Sequence, residues 1–281
     1  MLKNLLPFLL IAAGLAACDQ VKEPIPPSTP GGPDGGEFVK RRLLLEDFTG
    51  HRCNNCPAAA NTAQQLQALY GEDLVVVGVH VTETFAAPLS NGTYTTDFRT
   101  PAGDAYEQAF GISWLPAGMV SRHTFDNGKL LAHTGWSAAV AELIGSEADL
   151  DIWFEELEHD AANNTVSAVV KVAVLQPITG THNLTIYLTE DHVIDWQTNA
   201  AVSPPDVPDY DHRHVLRTNI NGTWGEEVIA TSANAGDTLT LSYSDHAMDP
   251  AWVAGNCALV AYVYSTTTDE VLQVAEKKFT P

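Results

Sequence analysis

The sequence predicts an α/β segment over residues 39–148, followed by an all-β segment over residues 149–281. Two observations lead to this division. In the first segment, apolar runs alternate with runs of helix-forming residues, which is typical of strands covered by helices. In the second segment, apolar residues recur at every other position, as in Val166, Ala168 and Val170, which indicates strands with one buried face.

The α/β segment begins with a regular series of elements. The patterns predict a buried strand over Leu43–Phe48, a helix over Ala58–Tyr70 that ends at Gly71, and a buried strand over Leu74–Val81. This order implies a parallel pair of strands joined by the helix. The residues that follow predict a loop over Thr82–Arg99, a helix over Pro101–Phe110, a hairpin of Gly118–Thr124 with Leu130–His133, and a helix over Trp136–Ile144.

Cys53 and Cys56 form a C-x-x-C motif where the first strand gives way to the helix. The free N–H groups and the dipole at a helix N-terminus stabilise a thiolate, and His51 and Arg52 add positive charge nearby. These features favour a redox-active dithiol, and an inert structural disulfide is the main alternative. A zinc site is a third alternative, although a four-ligand site needs two more ligands than the motif supplies.

Residues 39–148 resemble the thioredoxin fold. Asp47 stands six residues before Cys53, as the buried carboxylate of thioredoxins does, and Tyr106–Pro116 (YEQAFGISWLP) resembles the approach to their cis-proline. The resemblance implies that Cys53 is the exposed nucleophile, that Cys56 is the buried resolving thiol, and that Asp47 assists proton transfer from Cys56. A strand-end aspartate that caps the next turn is the alternative for Asp47.

The same resemblance places Pro116 in a cis peptide beside the disulfide, where the backbone of Leu115 would pair with a substrate strand. Two positions depart from the thioredoxin pattern. The residues between the cysteines are Asn54 and Asn55, and Arg52 stands where thioredoxins have tryptophan. Because both positions tune the reduction potential, reductant, isomerase and oxidant all remain open.

The second segment predicts about eight short strands separated by turn residues, which indicates a β-sandwich of immunoglobulin-like architecture. The loop Ser203–His214 (SPPDVPDYDHRH) contains three acids and two histidines. Such a set suits a divalent metal, but Pro- and Asp-rich loops are commonly exposed turns, so the sequence supports no assigned metal site. No cofactor is predicted. Cys257, in an apolar strand pattern, is expected to be a buried and inert thiol.

The chain start predicts export. Residues 1–17 combine one lysine with an apolar run and small residues, as a signal peptide does. The sequence Leu15-Ala16-Ala17-Cys18 resembles the lipobox of bacterial lipoproteins, which implies a lipid on Cys18 and attachment to a membrane. Residues 18–38 contain mainly Pro, Gly and polar residues, so we expect a flexible tether.

The chain is acidic, with a formal net charge of −21. Residues 149–281 hold 20 of the 35 acidic residues but only 5 of the 14 basic ones. A surface of this charge argues against nucleic acid and anionic lipid as partners.

The lipobox, the tether, EDFTGHRCNNCPAAA, and a β segment with HRHVLR, NGTWG and EVLQV together resemble one family over nearly the whole length. That family is the twenty-eight-kilodalton outer membrane protein family of Bacteroidetes-type lipoproteins. The resemblance implies an outer-membrane lipoprotein, facing the periplasm or the surface, with no settled activity. We expect thiol–disulfide exchange on exported proteins at the C-x-x-C. The alternative is a surface binding or adhesion lipoprotein in which the C-x-x-C is only a structural disulfide.

Overall fold

The computed structural model describes residues 38–90 and 92–279. The predicted signal peptide, the predicted lipidation site at Cys18 and all of the predicted tether except Phe38 lie outside the described residues. Within them, the helices are α1 (Cys56–Tyr70), α2 (Glu83–Ala86), α3 (Pro101–Phe110) and α4 (His133–Leu143). The strands are β1 (Leu43–Thr49), β2 (Leu74–His80), β3 (Ala117–Val120), β4 (Leu131–Ala132), β5 (Leu150–Asp160), β6 (Thr165–Val174), β7 (Ile178–Thr179), β8 (His182–Glu190), β9 (Val193–Thr198), β10 (Asp206–His212), β11 (Val215–Asn219), β12 (Glu226–Ile229), β13 (Ser232–Ala233), β14 (Thr238–Ala247), β15 (Cys257–Ser265) and β16 (Val271–Lys278).

One mixed sheet of nine strands runs through most of the structure. Its order is β16-β15-β8-β11-β2-β1-β3-β4, and β12 pairs with β8. β1 and β2 are parallel, as the sequence predicts, and the sheet continues from β2 into the second segment through a parallel bridge between Gly78 and Val215. Residues from Val39 onward therefore form one compact unit. The thioredoxin-like and immunoglobulin-like assignments and the boundary after residue 148 stay predictions.

Local sequence explains where the helices begin and end. Pro101 opens α3, and the hydroxyl of Thr100 accepts a hydrogen bond of 3.0 Å from the N–H of Gly103. The helix ends at Gly111, which has a φ of 63° in the left-handed region that glycine tolerates best. A threonine cap of this kind stabilises a helix by about 1 kcal/mol relative to alanine.

Helices cover both faces of the β1–β2 pair. On one face, Leu43, Leu45 and Val76 pack with Trp136 of α4 and the alanines of α1. Gly118 of β3 permits this packing, because a Cβ atom there would lie 2.5 Å from the Trp136 ring. The other face packs against α3 and against tyrosines of β8 and β15, so this core joins the two segments.

A third core lies on the far face of β8 and β15. The three-stranded sheet β14-β6-β5 contributes alternate residues to it, including Ile152 and Val172, which are fully buried. Its period-2 pattern confirms the sequence prediction of half-buried strands in this segment. Burial of each such side chain contributes about 1.5–3 kcal/mol.

A buried ion pair of the first segment is hydrogen-bonded to tyrosines of the second. Arg122 follows β3 and is 0% exposed, and its guanidinium donates to both carboxylate oxygens of Glu46, at 2.8 and 2.7 Å. The hydroxyl of Tyr187 donates to Glu46 Oε1, and Arg122 also donates to the hydroxyls of Tyr187 and Tyr262. Because these partners come from β1, β8 and β15, the charged pair fixes the two segments against each other.

Most predicted elements are confirmed within one to three residues at each end. The helix over residues 101–110 has the predicted bounds, and β4 supplies two residues of the second hairpin strand. The prediction of a loop over residues 203–214 is wrong in part, because residues 206–212 form β10 and pair antiparallel with β9. β10 carries no regular apolar alternation, so its strand character comes from pairing with β9.

Candidate functional site

The predicted pairing of Cys53 with Cys56 is confirmed, and the disulfide lies at the start of α1. Its S–S distance is 2.12 Å and its Cα atoms are 5.4 Å apart. β1 brings the chain to the carboxyl edge of the sheet, and Pro57 occupies the first turn of α1, where no hydrogen bond needs its missing N–H. Cys257 is a free cysteine, 1% exposed, and burial raises the pKa of its thiol to about 12, as expected for an inert group.

The β9–β10 hairpin of the second segment covers this disulfide. The N–H of Thr198 donates to the carbonyl of His51 at 2.8 Å, and the N–H of Ala200 donates to the carbonyl of Asn54 at 2.9 Å. Between them, the side-chain amide of Gln197 donates to the carbonyl of Cys53 at 2.9 Å. The hairpin segment is thereby hydrogen-bonded along the C-x-x-C loop.

Both cysteines are consequently buried. Cys53 is 2% exposed and Cys56 is 1% exposed. The expectation that Cys53 is exposed is therefore wrong for this disulfide state, while the expectation that Cys56 is buried is confirmed. The reason is the covering hairpin, which lies more than 140 residues further along the chain and gives no local signal near the motif.

The loop before α3 holds the hairpin in place. The Tyr94 hydroxyl donates to Asp206 at 2.6 Å and lies 2.9 Å from the Thr198 hydroxyl. The hydroxyl of Thr96 donates to Asp195. The ring of Tyr94 also contacts the rings of His51 and Trp196, with centroid distances of 5.4 and 5.9 Å. The covering hairpin is thus anchored on the side facing the first segment.

A small pocket of about 40 Å³ lies beside Cys56, beneath the hairpin. Asp47 of β1 and His80 of β2 line it from the sheet, and Gln197 and His212 line it from the hairpin. Its volume would hold about two or three water molecules. The lack of a side chain at Gly78 allows β2 to lie close to the backbone of Arg213, because a Cβ atom at position 78 would lie 3.3 Å from the Arg213 carbonyl oxygen.

Asp47 is a buried carboxyl group with an unsatisfied oxygen. The residue is 4% exposed, and its Oδ1 atom has no hydrogen-bond partner. Burial raises the pKa of Asp47 from 3.8 to about 8, so the group is largely protonated at neutral pH. The alternative of a turn-capping aspartate has no support in the described hydrogen bonds of this side chain.

Buried histidines surround the same pocket. Burial, together with the nearby His212, His51 and Arg217, lowers the pKa of His80 well below its usual value. Burial also lowers the pKa of His212 to about 4, against a weaker opposing effect of its hydrogen bond to the Trp196 carbonyl. Both imidazoles are therefore neutral at pH 7. His80 stacks on Phe98 with a centroid distance of 4.7 Å.

The remaining predicted residues lie as follows. The Leu115–Pro116 peptide is cis, as expected. His212 and His214 both line the pocket but have different partners, because His212 lies 3.3 Å from the carbonyl of Trp196 and His214 lies 3.3 Å from Asp191. Within residues 38–90 and 92–279, no group of three or more His, Cys, Asp or Glu side chains has the arrangement of a metal site.

Sequence reasoning missed Gln197, His80, Tyr94 and Phe98. His80 ends a strand whose last residues face the carboxyl edge of the sheet, the same edge as the C-x-x-C, and this position is a signal that could have identified it. Gln197 and Tyr94 have no such signal, because their roles depend on contacts between distant parts of the chain.

The comparisons with known proteins now bear on identity. The family model described as "Outer membrane protein Omp28" matches residues 103–281. The chain belongs to the Omp28 family. It is accordingly assigned to a family of outer membrane proteins. The matched residues include the covering hairpin but not the C-x-x-C motif, and no curated protein matched the chain.

Solved structures add a likeness in fold. HBP35 of Porphyromonas gingivalis superposes with a TM-score of 0.66 at 18% identity, over 87% of this chain and 77% of that one. A domain of the outer membrane lipoprotein Omp28 from Porphyromonas gingivalis shares 24% identity over 48% of this chain and 90% of that one, with a TM-score of 0.30. Among the described residues, the helices are all too short or too polar to cross a membrane.

Proposed function

We propose that this Omp28-family lipoprotein has a thioredoxin-like first segment and carries out thiol–disulfide exchange on exported proteins at Cys53 and Cys56. A lipid on Cys18 would anchor it to the outer membrane. No nucleic acid and no cofactor take part in this proposal.

The observation that carries the proposal is the buried Asp47 carboxyl beside Cys56. A polar group buried without a hydrogen bond costs about 1–3 kcal/mol, and a charged carboxylate costs more. An inert disulfide needs no such group, whereas exchange uses polar groups beside the resolving thiol that donate hydrogen bonds and transfer protons. Strongly shifted pKa values of this kind concentrate at reactive sites.

The proposed reaction uses both cysteines in turn. In the reduced protein, the thiolate of Cys53 attacks one sulfur of a substrate disulfide, and the other substrate sulfur leaves as a thiolate. The mixed disulfide is then attacked by Cys56, which forms the Cys53–Cys56 bond and releases the second substrate thiolate. Two electrons pass from the cysteine pair to the substrate, and the reverse sequence oxidises a substrate dithiol.

The covering hairpin sets a condition on this reaction. A protein substrate cannot reach Cys53 while Gln197, Thr198 and Ala200 are bonded to the C-x-x-C loop. Exchange with a protein therefore requires the β9–β10 hairpin to move away from the motif. This movement must break the Tyr94 and Thr96 contacts as well as the bonds to the C-x-x-C loop.

The same burial favours a second candidate function. A disulfide that is 1–2% exposed at each cysteine suits a structural bond in a surface binding or adhesion lipoprotein. In that case the acidic second segment would supply the binding surface.

The reduction potential of Cys53–Cys56 separates the two candidates. We would measure it on the mature chain with Cys18→Ser, by thiol trapping in glutathione and dithiothreitol buffers. A value between about −270 and −120 mV is expected for exchange, and a value below about −300 mV would identify a structural disulfide.

Trapping of partners is the second test. The Cys56→Ala variant leaves Cys53 unable to resolve a mixed disulfide, so exported proteins should accumulate on it. Cys257→Ala in the same background is the matched control, because that thiol is buried and should capture nothing. Equal capture by the Cys56→Ala and Cys53→Ala/Cys56→Ala variants would contradict the proposal.

A further inference from the structure

His80 differs from the other buried histidines in its hydrogen bonds. His51, His182 and His212 each have a ring nitrogen within 3.0–3.3 Å of a backbone carbonyl. His80 is 4% exposed, and neither of its ring nitrogens has a partner in the described part of the chain. A buried polar group without a partner is costly, and such groups commonly serve a reactive site.

The position of His80 connects it to the disulfide. β1 and β2 are parallel neighbours, and Asp47 lies opposite Gly78, two residues before His80 on the same face of β2. His80, Asp47 and Cys56 line one pocket of about 40 Å³. The imidazole thus lines the same small pocket as the thiol that must lose a proton during resolution.

Asp47 and His80 enter this step in different protonation states. Because burial raises its pKa to about 8, the Asp47 carboxyl already carries a proton at neutral pH. A neutral imidazole has a free acceptor nitrogen. The low pKa of His80 belongs to the disulfide state, in which Cys56 carries no charge; a thiolate on Cys56 would raise it.

We propose that His80 accepts the proton of the Cys56 thiol across this pocket and holds it as an imidazolium beside the thiolate. This assignment rests on the exchange function proposed above and names the proton acceptor of its resolving step. Asp47 then acts as a hydrogen-bond donor in the same pocket. His80 therefore accepts the proton itself, while Asp47 donates a hydrogen bond.

Proton transfer to His80 accompanies the exchange of one disulfide bond for another. In the mixed disulfide of Cys53 with an exported protein, the proton of the Cys56 thiol passes to a ring nitrogen of His80. The Cys56 sulfur forms a bond to the Cys53 sulfur, and the bond between Cys53 and the substrate breaks. The substrate sulfur leaves with the electron pair as a thiolate, and His80 later releases its proton to solvent or to that thiolate.

Other titratable and charged groups face His80 from every element around it. They are Asp47 of β1, Cys56 of α1, His51 before α1, Tyr210, Asp211 and His212 of β10, Arg213 and His214 after it, and Arg217 of β11. The redox state changes the charge only on Cys56 among these groups, and on its disulfide partner Cys53. Replacement of Cys53 by serine therefore isolates the charge on Cys56.

The first test measures the pKa of the Cys56 thiol. In the mature chain with Cys18→Ser and Cys53→Ser, the ultraviolet absorbance of the thiolate is followed against pH, with Cys53→Ser/Cys56→Ser as the blank. Adding His80→Gln should raise the Cys56 pKa by about one unit or more, which is at least a tenfold loss of thiolate at a given pH below it. His182→Gln, a buried histidine outside the pocket, is the matched control and should leave the pKa unchanged.

The second test keeps His80 intact, so it does not depend on whether His80→Gln folds. The imidazole pKa of His80 is measured by nuclear magnetic resonance in Cys53→Ser and in Cys53→Ser/Cys56→Ser. Because coupling between two sites is reciprocal, the Cys56 thiol should raise the His80 pKa by the amount by which His80 lowers the Cys56 pKa. Equal His80 pKa values in the two variants would overturn the assignment.

Neither measurement uses a substrate, so the two proposals fail separately. If His80 and Cys56 titrate independently and the reduction potential lies between about −270 and −120 mV, the role of His80 is wrong and the exchange function is supported. If His80 and Cys56 titrate as a coupled pair but the reduction potential lies below about −300 mV, the exchange function is wrong, and the resolving step assigned to His80 is wrong with it.

Discussion

The covering hairpin yields a quantitative prediction through Gln197. The side-chain amide of Gln197 donates to the carbonyl of Cys53 at 2.9 Å and to that of Thr198 at 2.8 Å, and the residue is 2% exposed. Gln197→Leu keeps a side chain of similar size but removes the donor. The carbonyl of Cys53 then loses this partner whenever the hairpin is closed.

The magnitude follows from the cost of that lost bond. The Cys53 carbonyl keeps the N–H of Cys56 as a partner, at 3.3 Å, so the substitution removes one of its two hydrogen bonds, worth about 0.5–1.5 kcal/mol. Water can replace the lost bond when the hairpin opens, so the substitution favours opening by this free energy, which is roughly a 2- to 12-fold rise in the open fraction. The two backbone hydrogen bonds from Thr198 and Ala200 remain, so the closed state is still formed.

The rate of reduction of the disulfide by dithiothreitol reports this equilibrium. At low reductant concentration, only open molecules react, and the observed rate is proportional to the open fraction. We expect Gln197→Leu to accelerate reduction by at least about twofold. The matched control is Ile152→Val, which weakens a separate core by about 0.5–1.5 kcal/mol and should not change the rate if opening is local.

Two results would refute this reasoning. A rate within twofold of the wild type in Gln197→Leu would mean that reductant reaches Cys53 with the hairpin in place. Acceleration by Ile152→Val in proportion to its loss of stability would mean that the disulfide is exposed only when the whole protein unfolds.

Three further outcomes are expected in denaturant unfolding. The folded pKa of Asp47, about 8, exceeds its ordinary value of 3.8, so the free energy of unfolding of the wild type should fall as pH rises from about 4 to 8. Asp47→Asn should remove this loss, which is on the order of 5 kcal/mol, and an unchanged pH dependence in the variant would contradict the prediction. The folded pKa of His212, about 4, lies below its ordinary value of 6.5, so the free energy of unfolding should fall as pH drops from about 6.5 to 4. His212→Phe should remove roughly 3 kcal/mol of that loss, and parallel curves of unfolding free energy against pH for the wild type and the variant would contradict the prediction. Arg122→Met should lower the free energy of unfolding by about 3–5 kcal/mol, because it leaves the Glu46 carboxylate without its cation. The double variant Arg122→Met/Glu46→Leu should recover part of this loss, and a loss below about 1 kcal/mol in Arg122→Met would rule out a strongly coupled pair.

Local patterns predicted much of the fold because local physics determines it. Thr100, Pro101 and Gly111 specify the two ends of α3 through a hydroxyl cap, a fixed φ and a left-handed φ. The strand β2 is an unbroken apolar run because both of its faces are covered. The C-x-x-C between strand and helix likewise predicted the disulfide.

The covered site could not be predicted because its contacts join distant parts of the chain. β10 contains Pro and Asp, residues that disfavour strands, and forms only because β9 pairs with it. The burial of Arg122 is equally hidden, since arginine is usually exposed and its partners Glu46, Tyr187 and Tyr262 come from three separate strands. The sequence therefore indicated the reactive pair but not the groups around it.

The order of strands in the large sheet also has a consequence for how the protein folds. Arg41 donates to the carbonyl of Val271, and the backbone N–H of Arg42 donates to Gln273, so the start of the compact unit is bonded to its last strand. These contacts span about 230 residues, and chains dominated by such distant pairings fold slowly. During synthesis, the first strands cannot reach their final packing until β16 has emerged, and the disulfide acquires its cover only after the hairpin arrives. An oxidant in the cell envelope therefore meets Cys53 and Cys56 most readily in the newly exported chain, before that cover has formed.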